Sequence, residues 1–256
     1  MIRRAVAVLL TLALAIVALG SCTSGTDEAP ARPLTSEEAQ RLALTRFRNF
    51  DAGLRPVSFT VTDRGITYLV DAEVDFAAGA GYGLISDEEG TESLVLAWSA
   101  STVTTLPWSG TDVPRTAPEV DDTWTTSALM PQESRLHATL SIVLTMTADR
   151  PDNALLLQQT DARWLREDTV TVGADETAVS VFAGPTQDTV YDPDSGLPDD
   201  GSAATTRFWV DETGVGHRLE LRLGGGTEWT SVDLGPGSDD DLLERLGGVA
   251  DVLGVR

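Results

Sequence analysis

The side chains able to do chemistry are few in this chain. It has one cysteine, Cys22, two histidines, His137 and His217, and no lysine, so its eighteen basic residues are all arginine. Without lysine there is no phosphate-cradling Walker loop, no Schiff base and no Ser-x-x-Lys nucleophile. A nucleophile elbow of the form Gly-x-Ser-x-Gly is also missing, and the two histidines stand far apart in sequence. A Ser-His-Asp triad is therefore disfavoured. His137 falls in an apolar stretch that suits a hydrogen-bonded structural imidazole, and His217 opens a strand beside a turn, where water can solvate it. So small a set of nitrogen and sulfur ligands also argues against a transition-metal site.

Carboxylates, by contrast, number forty. Paired acids at glycosidase spacing can be drawn among so many, but a solvated acidic surface accounts for them more simply. The densest cluster runs from Asp192 to Gly201, with Asp192, Asp194 and Asp200 as candidate ligands for a weak calcium site. Leu197 stands where an EF-hand loop needs glycine for its sharp turn, and Ala203 where the bidentate glutamate belongs. These departures favour a mobile loop, and no cofactor is expected.

The one cysteine has a setting of its own. Arg3 and Arg4 precede fifteen apolar residues, Ala5 to Leu19, and Gly20-Ser21-Cys22 closes the run. A membrane span needs about 20 apolar residues, whereas a charged start, a short apolar middle and a small-residue end make a cleaved secretion signal. Leu19-Gly20-Ser21-Cys22 resembles a bacterial lipobox, whose cysteine becomes the lipidated first residue of the mature protein. The expectation is an exported protein held at the outer face of the cytoplasmic membrane through acyl chains on Cys22. Two such chains, at about 0.8 kcal/mol per buried CH₂, anchor stably where one does not. Residues 1–21 contain Arg3 and Arg4 and no acid, so the net charge of −22 becomes −24 on their removal. A surface so acidic is repelled by phosphate backbones, and no nucleic-acid partner is expected.

The remaining elements are those that must position any site. Residues 22–33 read as a flexible tether, and residues 34–256 as a single domain long enough to bury a core without disulfides. Leu34 to Phe50 reads as a helix, with Thr35 and Glu38 at capping-box spacing and Ala39, Leu42, Phe47 and Phe50 on one face. Strands follow: Val57, Phe59 and Val61 alternate with polar residues, Asp63-Arg64-Gly65 turns, and alternation resumes from Ile66 to Phe76. Tyr82 and Leu84, Leu94 to Trp98, and Thr102 to Leu106 extend this meander, while Trp124 to Met130 is ambiguous. Arg135 to Ala148 reads as a largely buried helix, and Asn153 to Gln159 as a short one capped by Asp152. Strand patterns return at Trp164 to Asp168, Thr169 to Val172 and Ala178 to Ala183, then after an acidic loop at 205–210, 216–223 and 227–234. Ser238 to Leu253 reads as an amphipathic helix weakened by Gly247 and Gly248. Strands in runs rather than alternating with helices imply an α+β fold: one curved antiparallel sheet, a half-barrel, with helices on its concave face.

Six tryptophans, Trp98, Trp108, Trp124, Trp164, Trp209 and Trp229, are many for a chain otherwise poor in aromatics. Each taken alone suits ordinary packing, but together they could furnish a broad apolar cavity. The candidates to line it are Tyr68, Val70, Val74, Tyr82, Trp98, Trp209 and Leu221 from strands and Leu140 from a helix.

Residues 162–168 (ARWLRED), 178–185 (AVSVFAGP), 207–214 (RFWVDETG) and 218–221 (RLEL) resemble the closing half of actinobacterial lipoproteins of the LppX/LprG type. That group shares the fold of the lipoprotein carrier LolA, a curved antiparallel half-barrel whose helices plug a cavity for acyl chains. The resemblance implies a non-catalytic lipoprotein that holds or shuttles a lipid or other apolar ligand. The same half-barrel also occurs in periplasmic regulators of anti-sigma factors, which implies an envelope protein as the alternative partner. The matched segments carry no ligand-contacting residue onto a numbered position.

Overall fold

The structure, a computed structural model, describes residues 30–186, 194 and 200–255. Cys22, the apolar run before it and Asp192 lie outside the described residues. The strands are β1 (Arg32–Pro33), β2 (Leu54–Asp63), β3 (Ile66–Asp75), β4 (Ala80–Asp87), β5 (Ser93–Ser99), β6 (Thr102–Pro107) and β7 (Thr125–Ala128), then β8 (Arg163–Val172), β9 (Asp175–Ala183), β10 (Thr206–Val210), β11 (Gly216–Arg222) and β12 (Trp229–Leu234). They form one curved, unclosed antiparallel sheet in the order β1-β8-β9-β10-β11-β12-β2-β3-β4-β5-β6-β7. Two meanders, β2 to β7 and β8 to β12, are thus joined where β12 pairs with β2. The expected α+β half-barrel is what the chain forms.

Register follows from alternation and from the first turn. Arg64 and Gly65 both take positive φ, 51° and 85°, in the two-residue turn whose twist matches that of its strands. Val57 then faces Ala72 and Phe59 faces Val70, so these side chains share the concave face with Val61 and Val74. On β4, Gly81 and Gly83 oppose Trp98 and Leu96. A Cβ on Gly81 would lie 2.2 Å from the Trp98 indole. Bare backbone is what makes room for that ring.

Among the described residues five helices cover the sheet. On the concave side lie α1 (Ser36–Ala52), α2 (Arg135–Thr145) and α3 (Ala154–Gln159). The Thr35 and Glu38 side chains complete the expected capping box on α1. Leu140, Val143 and Leu144 of α2 enter the main cluster with Trp98, Leu219 and Val232. On the convex side, Ser238 to Leu253 is not one helix: Gly247, at φ 51°, divides it into α4 (Leu242–Leu246) and α5 (Gly248–Leu253). The apolar stripe read from the sequence survives the break. Leu242, Leu246, Val249 and Leu253 are all buried against Ala80, Tyr82, Val95 and Ala97.

Two smaller readings change. Asn153, not Asp152, caps α3, because its Oδ1 accepts from the Leu155 and Leu156 amides, while Asp152 pairs with Arg46 at 3.2 Å. The ambiguous stretch contributes edge strand β7, all four of whose residues are exposed.

One buried cation ties the halves together. Arg55, 1% exposed, donates to the carbonyls of Gly235 (2.8 Å) and Gly216 (2.9 Å) and to Asn49 Oδ1 on α1. Burial pushes its pKa down to about 10, opposed by the Asp211 carboxylate. Asn49 in turn donates to Met146 O at the end of α2. One guanidinium thus joins β2, β11, the chain just after β12 and, through Asn49, both long helices.

Candidate functional site

The predicted lining residues divide between the two faces. Val70, Val74, Trp98, Leu140 and Leu221 belong to the concave cluster, with Tyr68 packed at its margin. Tyr82 and Trp209 do not join them. Tyr82 pairs with Glu73 and points to the convex face beneath α4 and α5, where burial pushes its hydroxyl up to about 12. Trp209 packs with Val170, Val179 and Val181, and its Nε1–H donates to Asp168 at 3.0 Å. Alternation fixes which residues share a face within a strand but not which face is the concave one, so a buried aromatic on either side looks the same in sequence.

The tryptophans scatter likewise. Trp98 and Trp164 lie in concave clusters, Trp108 and Trp124 pack at the margin of the convex cluster, and Trp229 lies between the guanidinium groups of Arg207 (4.2 Å) and Arg222 (4.4 Å). They do not form one wall.

Between α2 and the sheet the concave cluster is filled by its own side chains. Val74, Trp98 and Leu140 are 0% exposed and Leu221 1%. The Trp98 Nε1–H donates to Leu140 O at 3.2 Å, which fixes helix to sheet. Open space begins at the rim, where α2 starts. A recess of about 400 Å³ is lined by Ile66, Tyr68, Ala128, Met130, Leu136 and His137, among others. A smaller one of about 90 Å³ continues past Tyr68 to Ile85 and Leu94. Ile66 and Met130 are 48% and 43% exposed, so the rim presents apolar surface to solvent.

A polar clasp holds α2 at this rim. Ser134 caps the helix by accepting from the His137 amide and donates from its Oγ to Asp63 Oδ2 at 2.7 Å. The Arg135 amide donates to Asp63 Oδ1 at 3.0 Å, and Arg64 donates to Glu133 O at 3.0 Å. The turn between β2 and β3 therefore grips the start of the helix from both sides. His137 Nδ1 accepts from the Met130 amide at 3.1 Å. Burial lowers the His137 pKa, with Asp63 opposing the shift and Arg64 adding to it. The ring is thereby kept neutral and able to accept. Sequence reading identified the turn and the helix, and missed that they meet: Asp63 and Ser134 lie 71 positions apart.

The other histidine is held differently. His217 Nε2 lies 3.0 Å from Asp211 Oδ2, and its Nδ1 is buried without a partner. Of the calcium candidates, Asp200 Oδ1 accepts from the Ser202 amide at 2.9 Å, a turn contact, and this hydrogen bonding lowers its pKa. Asp194 is described and engaged, and Asp192 falls outside the described residues. Among the described residues no three His, Cys, Asp or Glu side chains converge as a metal site would require. No helix among them is long and apolar enough to cross a membrane.

The convex face has a second recess, of about 870 Å³, over β12, β2, β3 and β4. It is lined by Ser58, Leu69, Asp71, Leu84, Trp229 and Asp233, among others, a mixed polar and apolar floor. Fold and geometry together define an α+β half-barrel with a plugged concave face. Compared with family models and with curated protein sequences, the chain matches none.

Proposed function

We propose that this protein is a non-catalytic binding lipoprotein, exported, held to the outer face of the cytoplasmic membrane by acyl chains on Cys22, and able to take a lipid chain or similar apolar ligand beneath α2. The observation that carries the reading is the exposed apolar rim at Ile66, Tyr68, Met130 and Leu136, which is continuous with the buried concave cluster. Binding on this view is an exchange. Lifting α2 exposes Leu136, Leu140, Val143 and Leu144, at about 1.5–3 kcal/mol each. An acyl chain of about sixteen carbons returns a similar sum at about 0.8 kcal/mol per CH₂. A closed resting state and a loaded state are then close in free energy, with the clasp of Asp63, Ser134 and His137 setting the difference.

The test is native mass spectrometry of the purified protein, followed by organic extraction and incubation with phospholipid. A co-purifying or acquired lipid supports the reading and names its class. A clean mass that takes up nothing overturns it. The convex recess favours a second reading, docking of an envelope protein on the floor containing Leu69 and Trp229. Photo-crosslinking from position 69 in intact cells would distinguish the two by trapping a protein rather than a lipid.

A further inference from the structure

The most exposed large apolar side chains among the described residues are neighbours. Leu155 and Leu156, on α3, are 63% and 55% exposed. The third leucine of the run, Leu157, turns inward and packs in a cluster with Leu34, Ala39 and Trp164. The pair is therefore displayed by a helix held through Ala154 and Leu157, which are part-buried against that cluster. Its seat is the point where the chain leaves the fold towards Cys22. Gln158 donates to Leu34 O at 3.3 Å, and Arg32, just upstream, is held by Glu38 at 2.7 Å and stacks over Trp164 at 4.3 Å. From Cys22 to Pro30 is eight residue steps, at most about 29 Å when fully extended. An anchor at Cys22 keeps this corner of the domain within that distance of the bilayer.

Charge points the same way. In a chain of net charge −22, residues 30–52 carry four arginines, Arg32, Arg41, Arg46 and Arg48, against three acids, Glu37, Glu38 and Asp51. Asp149, Arg150 and Asp152 precede α3 and Asp161 follows it, with Arg46 bonded to Asp152. This corner is close to neutral and so feels less of the repulsion from anionic headgroups than the rest of so acidic a chain.

We infer that Leu155 and Leu156 are the points at which the folded domain rests on the bilayer, inserting between headgroups and fixing the orientation of the half-barrel above the membrane. The inference rests on the lipidation of Cys22 proposed above. A bilayer gives both leucines an apolar environment that water does not, and the tether makes the encounter intramolecular, so two side chains suffice where a free protein would need many.

With Cys22 acylated the chain has no other thiol, so Leu156→Cys provides a unique labelling site. The full-length lipidated variant, labelled at position 156 with an environment-sensitive fluorophore, is reconstituted on phosphatidylcholine/phosphatidylglycerol vesicles containing brominated lipid. A parallel variant, Glu89→Cys, carries the label on the turn between β4 and β5. The expected result is severalfold stronger quenching at 156 than at 89. A chain that floats with the vesicles but is quenched equally weakly at both positions overturns the proposed orientation and leaves the anchor intact. A chain that does not float overturns the anchor, and this inference with it.

Discussion

The two faces of the sheet are built from similar residues and hold together by different means. The concave face carries two apolar clusters bridged by Phe208, the larger shared by both meanders, closed by α2 and braced by the Arg55 hub, with side chains at or near zero exposure. The convex face keeps its apolar residues in two separate groups, one under α4 and α5 and one against β8 and β9. Between them runs a surface ladder in which Arg207 and Arg222 flank Trp229, Arg166 lies over Trp209 and Arg218 pairs with Asp233. Where water is excluded, stability comes from shape and from pairing buried polar groups, as Arg55 and Asn49 do. Where it is not, planar cations on indoles cover apolar area without leaving the solvent.

Breaking the hub is expected to have the largest effect. Arg55→Ala leaves Asn49 Oδ1 and the Gly216 carbonyl buried, and the Gly235 carbonyl part-buried, without the guanidinium donor, and each buried loss costs about 1–3 kcal/mol. A net destabilisation of about 4 kcal/mol should appear as a lowered denaturant midpoint, and a value under about 1 kcal/mol would mean water replaces the guanidinium freely. Next comes Leu140→Ala, expected to cost about 3 kcal/mol through the void it leaves under α2. It also sharpens the functional proposal, since a lipid able to fill that void should recover part of the lost stability in a melt with added phospholipid. Recovery no greater than for wild type would count against a site under α2.

On the convex side the same class of experiment should give less. Trp229→Ala removes two cation–π contacts of about 0.5–1 kcal/mol each from a half-exposed position, so about 1–2 kcal/mol is expected by urea titration. A loss equal to that of Leu140→Ala would erase the contrast between the faces.

The smallest effect concerns His137. Its pKa is lower in the fold than in the unfolded chain, so the unfolded state binds more protons as pH falls from about 6.5 towards the folded value. Stability from the neutral ring is complete above that window and is lost within it. Protonation also ends the acceptance of the Met130 amide. Urea midpoints at pH 7.5 and 5.5 should therefore converge in His137→Gln relative to wild type, because glutamine can still accept that amide but does not titrate. Glu38 provides a contrast at lower pH. Its hydrogen bonds from Arg32 and then Thr35 hold it at about 2, so its contribution is present above about 4.5 and fades only as pH falls towards 2.

Much of this architecture was readable from residue pattern, and the reasons divide cleanly. Alternation from Val57 to Phe76, the Arg64-Gly65 turn and the Thr35–Glu38 box are local, and each was legible because a few adjacent residues determine it. The broken C-terminal helix was half legible: the stripe was visible, but only the left-handed backbone at Gly247 shows that it bends. The concave and convex assignment of Tyr82 and Trp209 was not legible, since it depends on where α4 and α5 land. The clasp was not legible either, because Asp63 and Ser134 are joined only by the fold.

The sheet's failure to close leaves two free margins among the described residues, each open to pairing with another chain. One margin is β7, four residues long, three of them hydroxylated; the other is β8, covered at Arg163 and Trp164 by the two-residue β1, which ends in Pro33 with no amide hydrogen to donate, and without a strand partner on that side from Arg166 to Val172. A short polar strand and a proline are poor templates for a neighbouring copy. At these two points the open sheet is poorly suited to pair edge to edge with a neighbouring copy.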